Sequence, residues 1–153
     1  MSKKSRDDQF RRIDVDKYDE DKFDDDEGEE DNDHAQFSSR EADVKKMVTS
    51  SDLSSALGCA LKDPPVNTKD LQLKAKNFAL VLDVLGRFKA ADIEKAVKDL
   101  SSEELDILMK YLYRGFAEPT ENSCGVLLNW HQQITAVGGL GSIIRVMAER
   151  KTV

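Results

Sequence analysis

Leu71, Ala75, Phe78, Leu82 and Leu85 recur at 4-3-4-3 spacing, the period of one face of an α-helix, and Val81, Val84 and Phe88 widen that stripe. An apolar stripe so wide implies contact on more than one side, so this segment, with Thr68 as its cap, is the expected central helix. The same period governs the chain on either side of it. Ser38 and Glu41 stand at capping-box spacing ahead of Val44, Met47 and Val48, which predicts a short first helix. Asp52 is placed to cap a second helix carrying Leu53, Ala56, Leu57, Ala60 and Leu61, and Pro64 and Pro65 end it. A fourth helix aligns Ile93, Ala96, Val97 and Leu100. Ser101 and Glu104 form a second capping box for a fifth, with Leu105, Leu108, Met109, Leu112 and Phe116 facing inward and Pro119 closing it. Thr120 opens a sixth with Leu127, Trp130, Ile134 and Val137, and a seventh carries Leu140, Ile143, Ile144 and Met147. No stretch alternates convincingly at period two. The expectation is an all-α fold of about seven helices in an irregular α-α superhelix or bundle, and no repeated motif chooses between the two.

Between the last two helices lies "TAVGGLGSIIRV", residues 135–146, with Gly138, Gly139 and Gly141 in four positions. A phosphate-binding loop requires a strand before it, glycines at set spacing and, in the P-loop, a lysine followed by Ser or Thr. Here a helical stripe precedes the glycines and no such lysine follows. The pattern fits a helix stop, where glycine accepts the left-handed conformation without steric penalty. No nucleotide site is expected.

Before residue 38 the composition changes. From Asp14 to Asp33, 13 of 20 residues are acidic, and residues 1–37 carry a net charge of −8 against +1 for the remainder. Repulsion and scarce apolar surface leave too little burial to offset chain entropy, so residues 1–37 read as a largely disordered acidic arm and 38–153 as one helical domain. Phe10, Ile13, Val15, Tyr18 and Phe23 punctuate the charge. On these grounds a solubilising tail and a docking arm both remain open. The near-neutral body has no basic cluster to draw it to nucleic acid or an anionic membrane.

Other chemistry finds little support. Setting Gly28 at the sixth position of a calcium loop puts Phe23 first and His34 twelfth, where Asp and Glu are needed. Two histidines, His34 and His131, cannot form a zinc cluster, and two cysteines, Cys59 and Cys124, supply no disulfide framework. Cys124 lies in a first helical turn, where the dipole lowers a thiol pKa, but no orienting third residue can be named for it. Neither a membrane span nor a signal peptide is visible, so a soluble intracellular chain is expected, without cofactor, metal or catalytic residue. Arg145, Arg150 and Lys151 near the C-terminus complement a helix end or meet a partner.

The segments "FRRIDVDKYDEDKF", "LKDPPVNTK", "FKAADIEKAV", "LMKYLYRGF" and "NWHQQITAVGGLGSIIRVMAERKTV", in this order, resemble the subunit 5 family, the smallest subunit of the actin-related protein 2/3 complex. Only the stretch from about Asp24 to Gln36 and the first helix diverge. The resemblance implies a noncatalytic structural subunit of a seven-subunit assembly that, once activated by nucleation-promoting factors, starts a daughter actin filament on the side of a mother filament. It implies a helical superhelix held against the β-propeller subunit and a central scaffold subunit, and an N-terminal arm reaching the second actin-related protein. On this chain the arm contacts fall to Phe10, Arg11, Ile13, Val15, Tyr18 and Phe23. The body contacts are expected at Trp130, Arg145, Arg150 and Lys151. Actin filaments would be met through the complex. The cytoplasm, the cytoskeleton of actin-rich cell projections and the nucleus are the matching locations. The alternative is an acidic helical adaptor, or a histone-chaperone-like module whose polyanionic tail screens basic partners.

Overall fold

The computed structural model describes residues 27–119, 123–149 and 151–153, and every regular element among them is an α-helix. These are α1 (Glu27–Thr49), α2 (Leu53–Leu61), α3 (Leu71–Arg87), α4 (Ala90–Asp99), α5 (Ser102–Ala117) and α6 (Ser123–Ala148). Helices α1, α2 and α3 pack on one another, α5 pairs with α6, and α4 lies against α6. The two groups meet where α2 touches α5 and α3 touches α6.

The first helix starts at Glu27 and not at Ser38. Phe37 and Val44, two turns apart, are both buried, which fixes one continuous helical register through the position expected to be a cap. Ser38 therefore sits inside the helix, its hydroxyl donating to the His34 carbonyl at 3.0 Å, while the Glu41 carboxylate pairs with Lys45 at 2.6 Å. The helix closes with Ser51 in the left-handed region, φ 63°, as the Asp52 amide donates back to the Met47 carbonyl at 3.1 Å.

Asp52 caps α2 as expected, accepting from the Ser55 amide at 3.2 Å. The cap of α3 is Asp70 rather than Thr68: its carboxylate accepts from the Gln72 amide at 2.7 Å, and the Thr68 hydroxyl accepts from the Asp70 amide at 3.2 Å. The buried face of α3 is also turned from the expected one. Leu71 and Ala75 are exposed, and Leu73, Asn77, Phe78, Leu80, Val81, Val84 and Leu85 face inward. The capping box of α5 is complete, with the Ser101 amide donating to Glu104 at 2.8 Å and the Glu104 amide to Ser101 at 3.3 Å.

Arg40 ties α1 to the proline connector and to α3. Its guanidinium donates to the carbonyl of Asp63 at 2.7 Å, to that of Lys62 and to the amide oxygen of Asn77, so the orphan carbonyls after α2 find a charged donor. Gly115 serves the pairing of α5 with α6. A Cβ there would come within 2.8 Å of Leu127 Cδ1, so glycine is what lets α5 and α6 approach so closely.

Candidate partner-binding surface

Helix α6 changes character at Gly139. That residue has φ 65° and ψ −171°, non-helical values in the left-handed half of the map, so the run is two helical stretches joined at the expected break. The buried Ser142 hydroxyl donates to the Gly139 carbonyl at 2.9 Å and secures the new turn.

Before the break, α6 belongs to the core: Leu127, Trp130 and Ile134 are fully buried. After it, burial is sparse. Ile143 and Val146 are partly covered, whereas Leu140 is 70% exposed, Ile144 64% and Met147 65%, at 4-3 spacing on one helical face. Val137, 46% exposed, leads into this stripe. Single exposed apolar residues are ordinary, but an aligned run of large ones marks a contact surface.

Trp130, expected at an interface, is instead enclosed. Its ring meets Phe88 edge-on at 5.1 Å, and Nε1 donates to the Leu85 carbonyl at 3.4 Å, satisfying a group in the last turn of α3. Arg145 is on the surface but is engaged by α5: Nε donates to Asp106 at 2.6 Å and Nη2 at 2.8 Å, a bidentate pair that raises the pKa of the guanidinium. Lys151 donates to the Asn67 side chain at 2.8 Å. Arg150 and the arm residues Phe10, Arg11, Ile13, Val15, Tyr18 and Phe23 lie outside the described residues.

Among the described residues no group of His, Cys, Asp and Glu is placed to hold a metal ion, and no helix is long and apolar enough to cross a membrane. Cys124 is exposed and Cys59 half-buried, both as free thiols.

A model of the family described as P16-Arc, the ARP2/3 complex 16 kDa subunit, matches residues 9–153. The chain belongs to the P16-Arc family. Its relatives include the actin-related protein 2/3 complex subunit 5-like protein of Homo sapiens, 44% identical over 153 residues that span the whole of both chains. Subunit 5-B of Xenopus laevis is 45% identical over the same full span. Subunit 5 of Dictyostelium discoideum is 43% identical over 119 residues, 78% of this chain and 85% of its own. Helix α6 and its glycine break thus fall within the part of this P16-Arc chain that the family model covers.

Proposed function

We propose that this P16-Arc chain is a noncatalytic structural subunit of the actin-related protein 2/3 complex, the assembly that nucleates branched actin filaments after activation by nucleation-promoting factors. The observation that carries the proposal is the exposed stripe of Leu140, Ile144 and Met147 in a chain whose relatives are named as subunits of that complex. Burying such a stripe requires a partner, and large apolar side chains are the usual anchors of a stable interface. The β-propeller subunit and a central scaffold subunit are the partners assigned to the body. The acidic arm, through Phe10, Arg11, Ile13, Val15, Tyr18 and Phe23, tethers the second actin-related protein. Actin filaments are met through the complex, in the cytoplasm, in the cytoskeleton of cell projections and in the nucleus.

The test is co-expression of a Leu140→Asp, Ile144→Asp chain with the other six subunits. Both positions are already in water, so the isolated chain is expected to keep its melting temperature. Its recovery in the purified complex is expected to fall about tenfold or more, the effect of losing an anchor residue. Stoichiometric recovery of the double variant would exclude the stripe as the docking face.

A further inference from the structure

Beyond Gly139 the chain has little core of its own: of residues 140–149 only Ser142 is buried, and Ile143 and Val146 are partly so. The break at Gly139 also removes the stiffness that a continuous helix would transmit. Residues 140–148 nevertheless lie against α5, so contacts other than apolar burial hold them. Two are ion pairs, Arg145 with Asp106 and Lys110 with Glu149, each at 2.6 Å.

The rest come from the last three residues. Val153 is 3% exposed although Lys151 and Thr152 before it are exposed, so its side chain plugs into the body. With Lys151 and Thr152 it forms one wall of an open cleft of about 430 Å³ whose other walls include Leu71 and Lys74 of α3, Lys110 and Arg114 of α5 and Val146 of α6. Arg114 Nη1 donates to the main-chain oxygen of Val153 at 2.7 Å, and Lys74 Nζ to that of Thr152 at 2.9 Å. Lys151 in turn reaches Asn67 in the connector before α3. Lys74 is 9% exposed, and Lys110 keeps 12% of its side chain exposed. Burial, with Arg114 nearby, pushes the Lys74 ammonium pKa down. Ammonium groups so nearly buried need acceptors. For Lys74 the tail supplies one.

We propose that the seam between α3, α5 and the end of α6, beside this cleft, is a binding site for a short extended segment, held by its main-chain oxygens and one apolar side chain. Its occupant is the chain's own Lys151–Val153 segment, which latches residues 140–148 onto α5. Recognition is by two cationic donors to successive main-chain oxygens and by one apolar socket. The inference is independent of membership in any assembly.

Hydrogen exchange on the full chain tests it. Arg114→Gln and Lys74→Met are each expected to speed exchange of amides 140–148 by about tenfold, while α2 and the middle of α3 stay slow. Deleting residues 151–153 should do the same. A free peptide of sequence ERKTV should then bind the shortened chain and restore protection, and ERKTD should not. Unchanged exchange of 140–148 in the two point variants would overturn the proposal. So would failure of ERKTV to bind a shortened chain whose α2 and α3 remain protected.

Discussion

Tyr111 is fully buried, and its hydroxyl has no hydrogen-bond partner among the described residues. Burial pushes its pKa up to about 12, against a counter-pull from Arg40 and Arg114. Because the folded value lies above the ordinary 10.0, the contribution to stability is complete below pH 10 and is lost as pH rises through about 12. Tyr111→Phe removes both the desolvated hydroxyl and the titration. The variant is expected to be more stable by about 1 kcal/mol at neutral pH and to lose the alkaline fall, both measurable by urea titration at pH 7 and above pH 10. Trp130 shows what the sequence left open at this scale. A large aromatic on an amphipathic helix fits a core and an interface equally well, and only the distant Phe88 and Leu85, folded next to it, decide for the core. Lys74 and Arg114 gave no sequence signal, since their acceptors lie 78 and 39 residues away.

At the scale of elements, local chemistry was legible where both partners were local. Ser101 and Glu104 form their box because the two groups that satisfy each other are three residues apart. Ser38 and Glu41 have the same spacing, but burial of Phe37 carries the helix past them. The face of α3 was ambiguous because apolar residues occupy most of its circumference, and periodicity alone fits two stripes. The stripe after Gly139 illustrates the deeper limit: a 4-3 pattern says that a face is covered, not whether this chain covers it. The caps of α2 and α3 carry a pH dependence. The Ser55 hydrogen bonds lower the pKa of Asp52, and the Gln72 amide, chiefly, lowers that of Asp70, which also pairs with His34 at 2.8 Å. Depressed folded values mean that this stabilisation is present above the ordinary 3.8 and is lost as pH falls below it. Far-ultraviolet dichroism should therefore show an acid loss of helix below about pH 4 that is smaller in Asp52→Asn with Asp70→Asn, since asparagine caps without titrating.

For the whole molecule, the acidity does not stop at the proposed arm. Glu27, Glu29, Glu30, Asp31 and Asp33 belong to α1, so residues 1–26 carry a net charge of −3 and residues 27–153 carry −4. An arm of this kind joins two partners by raising their effective concentration rather than by one tight contact. Removing residues 1–23 is accordingly expected to leave the body in the complex while weakening retention of the second actin-related protein. Gel filtration at falling concentration reads this as earlier loss of that subunit. An unchanged dissociation profile would assign the arm no tethering role.

Trp130 is the chain's single tryptophan, and it lies at the junction of α3 and α6, walled off from water and from the stripe. Its light emission is consequently a clean optical readout: blue-shifted while that junction is dry, red-shifted when it opens, and indifferent to what settles on Leu140 or Ile144. One cuvette can thus separate a subunit that has come apart from one that has merely lost its companions.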